Sequence, residues 1–171
     1  MTLSISGDDD DWAMFSRTPA DGKPTLIRSR AGVPEVREFA EQNFFARLRC
    51  TLPEDAVTDA GLPRSTEALD RFEDALLGAL RAAGAQTYLV AVSTGHGVRD
   101  FFFTAADKGE LPAALKSIES ERAFSVALAS GEAAPFLNAL VLSPEEREKA
   151  NYHEVPAQRT GGGLLGKLFG R

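Results

Sequence analysis

Cys50 is the one thiol in the sequence, and its neighbours limit what it can do. It shares a period-two face with Leu48 and Leu52, which places it in a core, away from the orienting base that a nucleophile needs. His96 lies between Gly95 and Gly97, and His153 lies in the C-terminal region. Each lacks a partner at metal-ligand spacing, so both read as surface histidines. The chain has no GxxxxGK[ST] segment. Gly95-His96-Gly97 leads into a strand, whereas a phosphate-cradling loop opens a helix, so it is a turn. The sequence therefore assigns no catalytic residue, no metal ligand and no cofactor.

Two charged groupings remain. Glu67, Asp70, Glu73 and Asp74 recur at spacings that share a helix face, as acid/base chemistry or metal binding would require. Glu67 also precedes Arg71 by four residues, the favourable ion-pair order, and the group lies opposite Leu69, Phe72 and Leu76, which reads as a solvated helix face. The second grouping interleaves cations with aromatics: Phe45, Arg47 and Arg49 on one strand, and Arg99, Phe101 and Phe103 on another. Alternation places all six on one sheet face. Such a face suits a protein or small-ligand groove, or stacks nucleobases as RNA-recognition sheets do, or is buried under the termini of its own chain. The segment Gly97 to Thr104 lacks the basic-glycine-aromatic-glycine order of the RNA module, which argues against nucleic acid.

The elements that position these residues follow from periodicity. Trp12, Met14 and Thr25 to Arg30 flank the turn cluster Thr18-Pro19-Ala20-Asp21-Gly22, predicting a leading β-hairpin. Residues 31 to 43 are compatible with a helical turn over Glu35 to Glu41 or with a polar connection. From Phe44 to Leu52 the pattern alternates as a strand does. Ser65 or Thr66 caps a helix carrying Leu69, Phe72, Leu76, Leu80 and Ala83 until Gly84 stops it. Gln86 to Ser93 and Val98 to Ala105 form a second hairpin, Gly109 introduces a short helix with Leu111, Leu115 and Ile118, and Ala123 to Ala129 is a further strand. The order β-α-β-β-α-β predicts an α+β domain of the ferredoxin-like, split β-α-β kind: a four-stranded antiparallel sheet with both helices on one face. The N-terminal hairpin is an addition, as are C-terminal helices over Glu132 to Leu142 and Ser143 to Ala150.

Composition sets the class. The 171 residues are 43% hydrophobic and 26% charged, the balance of a globular chain, with a formal charge of −6 that disfavours nucleic acid and anionic membrane. No apolar run approaches the roughly 18 to 20 residues of a membrane span, and the N-terminus lacks the features of a signal peptide. These features, with a lone cysteine, predict a cytoplasmic protein. Residues 1–11 read as a flexible acidic terminus, 12–155 as one domain and 156–171 as a glycine-rich tail. In that tail Leu164, Leu165, Leu168 and Phe169 form a short amphipathic end suited to docking on a partner protein or a membrane surface.

Gly61-Leu62-Pro63, Glu67, Leu69 and Phe72-Glu73-Asp74 resemble a bacterial family catalogued as domain of unknown function 695. So do Trp12 with Phe15, Thr94 with Gly97, Arg99-Asp100-Phe101-Phe102-Phe103, and the closing Phe136 and Pro144. Thr104 replaces a usual tyrosine, and the family's Asp-x-x-Trp-x-x-Tyr-like segment is reduced to Ala133 to Ala139. The resemblance implies the same order of elements and no particular activity. A looser analogy is the ribonuclease E inhibitor, another small acidic ferredoxin-like protein. The expected function is a non-catalytic protein-binding or regulatory domain. The competing expectation is an enzyme that holds a small anionic substrate with Arg47, Arg49 and Arg99 and uses Glu67 or Asp74 as acid/base.

Overall fold

A computed structural model describes residues 12–118, 122–143 and 145–146. Its ten regular elements are strands β1 (Ala13–Arg17) and β2 (Thr25–Ser29), helix α1 (Pro34–Gln42), strand β3 (Phe44–Thr51), helix α2 (Glu67–Ala82), strands β4 (Thr87–Gly95) and β5 (Val98–Ala105), helix α3 (Glu110–Ser117), strand β6 (Ser125–Gly131) and helix α4 (Ala133–Ala139). The strands form one antiparallel sheet in the order β1-β2-β4-β5-β3-β6. The fold is therefore α+β, with a six-stranded sheet between helices.

Strand β3 shows why the sheet has two apolar faces. Ala46, Leu48 and Cys50 point into a core formed with Leu69, Phe72, Leu76 and Leu80 of α2 and Leu111 and Ala114 of α3. Phe45, on the other face, packs with Val36, Phe39 and Ala40 of α1 and with Ala133 and Leu137 of α4. The spacing of Leu69, Phe72, Leu76 and Leu80 creates the apolar stripe that seats α2. Thr66 occupies the N-cap of α2, although its hydroxyl donates to Asp70 at 2.8 Å instead of accepting a backbone N–H.

One expectation is corrected here. The N-terminal hairpin does not fold over a sheet face; β2 pairs with β4 and lengthens the sheet. Residues 31–43, left open between a helical turn over Glu35 to Glu41 and a polar connection, contain the helix α1, which buries Val36, Phe39 and Ala40. Pro34 at its start costs no hydrogen bond, because the first N–H groups of a helix have no intrahelical partner. Together α1 and α4 cover part of the face opposite α2 and α3. Strand β4 is also irregular: a bulge between Leu89 and Ala91 shifts the register, and Val90 joins Ala91 in the second core.

The loop before α2 is fastened to the β4–β5 turn. His96 and Gly97 both have positive φ, as a tight hairpin turn needs, and Gly97 N–H donates to the Gly61 carbonyl at 2.8 Å. Gly61 has a φ of +80°, and a Cβ there would lie 3.0 Å from the His96 nitrogen. Gly61→Ala is expected to cost about 2 kcal/mol. Gly78→Ala, in the middle of α2 with nothing within 4 Å, is expected to gain about 0.5–1 kcal/mol. Urea unfolding of the two variants beside the parent checks the opposite signs.

Candidate functional site

The register decides which arginines and aromatics meet. Residues directly opposite in an antiparallel sheet share a face, and the pairs are Arg49 with Asp100, Arg47 with Phe102 and Phe45 with Thr104. Arg99, Phe101 and Phe103 pair instead with Cys50, Leu48 and Ala46. The six residues expected on one face are thus split three and three. Arg99, Phe101 and Phe103 lie under α2 and α3, essentially inaccessible to solvent. Periodicity fails on β5 because Arg99 to Ala105 are all buried, so no polar residue marks an outward face.

Arg99 forms part of an internal polar cluster. Its Nη1 donates to Asp70 Oδ1 at 2.8 Å and its Nε to the Thr94 hydroxyl at 3.1 Å. Asp70 is therefore not on a solvated helix face as expected. Nor is Glu73, which pairs with Arg28, although Glu67 and Arg71 do make the exposed pair, at 3.2 Å. Cys50, opposite Arg99, is fully buried. Burial pushes its thiol up to about 12, outweighing the nearby Arg99 and Arg122, so the reactive thiolate is absent near neutral pH. Cys50 is accordingly expected to resist Ellman's reagent in native buffer and to react only after unfolding. Fast labelling of the native chain would contradict its place in the core.

The other face carries an open cleft of about 690 Å³ between the β1–β2 hairpin and α4. Ile27, Ser93, Phe102, Phe136 and Leu140 give it a largely apolar interior; Ser16, Thr18 and Thr25 place hydroxyls along the hairpin side, and Arg17 and Glu146 also line it. Phe136 packs against Phe45 and Phe102 at ring separations of 5.9 and 5.8 Å, and the Arg47 guanidinium lies 5.8 Å over the Phe136 ring. Phe45 and Arg47 therefore back the aromatic wall of the cleft. Beside Ser93, Arg49 grips Asp100 through two hydrogen bonds of 2.7 and 2.6 Å, which raise the arginine further above its ordinary value.

Arg17 ties the hairpin to the end of α4. Its Nε donates to Glu146 at 3.0 Å, and its Nη groups donate to the Glu146 carboxylate and to the carbonyls of Ala139 and Val141. Glu146 also exchanges hydrogen bonds with Ser143, its carboxylate accepting the Ser143 N–H at 2.8 Å and its own N–H donating to the hydroxyl at 3.1 Å. Hydrogen bonding to Arg17, followed by the Ser143 N–H, holds the Glu146 carboxyl down at about 2. It is ionised and engaged near neutral pH, unsuited to general acid or base work.

The family model described as a family of unknown function, DUF695, matches residues 10–129. The chain belongs to DUF695. The DUF695 match spans strands β1 to β5 and most of β6, but ends before α4, so the cleft wall built from Phe136, Ala139 and Leu140 lies beyond it. Motif residues within it serve the frame: Gly61 and Gly97 join loop to turn, while Arg99 donates to both Thr94 and Asp70. No curated protein and no solved structure matches the chain.

Sequence reasoning missed Ser93, Phe102 and Arg17 as lining residues. Ser93 and Phe102 carry no signal without the strand phase, and Arg17 gains its role from a contact spanning 129 positions. Phe136 was visible only as the closing aromatic of the family resemblance. The docking residues Leu164, Leu165, Leu168 and Phe169 lie outside the described residues, as do the acidic N-terminus and most of the last expected helix. Among the described residues, no group of His, Cys, Asp and Glu has the makings of a metal site, and no helix is long and apolar enough to cross a membrane.

Proposed function

We propose that this chain is a non-catalytic binding domain that takes an extended apolar segment of a partner protein into the cleft between the β1–β2 hairpin and α4. The observation that carries this reading is the cleft's composition: an aromatic interior with hydroxyls along one side, in which the two ionisable lining groups, Arg17 and Glu146, neutralise each other. Apolar side chains gain by leaving water there, and the hydroxyls are placed to meet the peptide groups between them. The frame suits the ferredoxin-like, split β-α-β arrangement: within the sheet, β6, β3, β5 and β4 are neighbours in that order, and α2 and α3 pack on one face. The enzyme reading loses its basis because Arg99 lies on the opposite face from Arg47 and Arg49. An RNA reading loses Phe101 and Phe103 as stacking surfaces.

The test is selection of a displayed random peptide library on the full chain, followed by titration of the enriched peptides. Enrichment of aromatic and aliphatic sequences is expected, with affinity lowered at least about tenfold by Phe136→Ala, which removes one wall of the cleft. No enrichment, or peptides that bind Phe136→Ala as well as the parent, would remove the reading.

A further inference from the structure

The chain continues directly from the cleft. Glu146, the last lining residue in sequence order, is held at the cleft by Arg17, and residues 147–171 follow it. The leucines and the phenylalanine of that stretch all fall within six residues: Leu164, Leu165, Leu168 and Phe169, just after Gly161-Gly162-Gly163. Side chains of this kind are what the aromatic interior of the cleft favours. The described domain has none to spare there. Leu128 is the one large apolar side chain exposed among the described residues, and it lies on β6, at the other edge of the sheet from the β1–β2 hairpin.

We infer that residues 164–169 of the same chain occupy the cleft, and that a partner segment enters by displacing them. This rests on the cleft being a site for apolar peptides, as proposed above, and adds how that site is regulated. Chain length permits the contact. Glu146 and Leu164 are separated by 17 residues, a stretch that reaches at most roughly 60 Å, against the roughly 20 Å that six extended residues cover. Length also sets the strength. A tether of this size presents the segment to the cleft at an effective concentration of about 1 mM. A segment with a Kd of only about 0.1 mM when free is then bound in about nine chains of ten, and it lowers the apparent affinity of a competitor about tenfold. Charge acts in the same direction: Lys167 and Arg171 are the only ionisable side chains after Arg159, and both are cations in a chain whose formal charge is −6.

A nitroxide attached at Arg171→Cys reports where the segment sits, since Cys50 is buried and does not take the label. In the full chain it is expected to broaden the amide resonances of Ser16, Thr18, Ser93 and Ala139, and to lose that effect once Leu168→Asp and Phe169→Asp are added. Without the label, the same two substitutions are expected to raise the affinity of the full chain for a synthetic peptide of residues 162–171 about tenfold, and Phe136→Ala to abolish the gain. Cleft resonances that the nitroxide leaves unaltered overturn the inference. So does broadening that appears only when spin-labelled and isotope-labelled chains are mixed, because a second copy then supplies the segment. Library-selected peptides that depend on Phe136, yet bind the parent and the Leu168→Asp, Phe169→Asp chain equally, would leave the binding role standing and overturn its control by this segment. Failure of the binding role reads differently, as no peptide bound by either chain, and takes the inference with it.

Discussion

Asp70→Ala is expected to destabilise the fold by about 3–5 kcal/mol, because it strands a guanidinium that has no access to water. Arg99 is 0% exposed, and its Nη2 already has no hydrogen-bond partner among the described residues. With Asp70 gone, Thr94 alone would face it. Removing the cation instead has a different consequence. Arg99→Met fills similar volume with apolar atoms, and Asp70 keeps the Thr66 hydroxyl and partial contact with solvent, so the cost should be under half as large. The double variant is then expected to be more stable than Asp70→Ala alone. At roughly 2–4 °C of melting temperature per kcal/mol, Asp70→Ala should melt about 10 °C early. Urea unfolding of the four proteins in this cycle measures the coupling directly. A cost below about 1 kcal/mol for Asp70→Ala would show that the pair is hydrated and that the cluster is not part of the core.

Phe101→Ala and Phe136→Ala are expected to separate stability from binding. Phe101 is 0% exposed and packs against Phe72 with ring centroids 6.1 Å apart, so its truncation should cost about 3–5 kcal/mol. Peptide affinity should be unaltered under conditions where that variant remains folded. Phe136 is only partly buried, borders the cleft, and should cost less to truncate while removing most peptide affinity. The two phenylalanines thus report on opposite faces of one sheet. A small loss of stability for Phe101→Ala would mean that β5 presents the other face to solvent, since a one-residue slip exchanges every side chain between faces.

The two faces are used unequally. α2 and α3 seal the first face with a core running from Ala46 to Phe124, which encloses a polar cluster of Arg99 with Asp70 and Thr94. α1 and α4 seal only part of the second. Over the rest, Arg49 and Asp100 form an ion pair beside Ser93, and the cleft opens toward the hairpin. That exposure matters because a binding surface has to be left uncovered by its own fold, and polar groups on it must be paired to persist near apolar walls.

Local pattern carried much of the frame. Alternation from Phe44 to Cys50 set β3 and its phase correctly, the stripe Leu69, Phe72, Leu76 and Leu80 set α2, and the glycine-bearing turn set the β4–β5 hairpin. Each is dictated by the period of its own element. What tertiary structure decided was phase and cover. β5 has no readable phase because it is buried on both faces, so the pairing of Leu48 with Phe101, not the sequence, places Arg99 beside Asp70. α1 had too few apolar residues to announce itself, and becomes a helix because Phe45 and Tyr88 offer Phe39 a surface. Arg17 and Phe136, far apart in the chain, border one cleft only because β2 pairs with β4 and α4 returns across the sheet. The sequence by itself determined the period of β3, of α2 and of the β4–β5 hairpin, and it left residues 31–43 open. Which side of the sheet each arginine faces, and where the sheet stays open, was fixed by long-range pairing, whose partners lie beyond the reach of any local period.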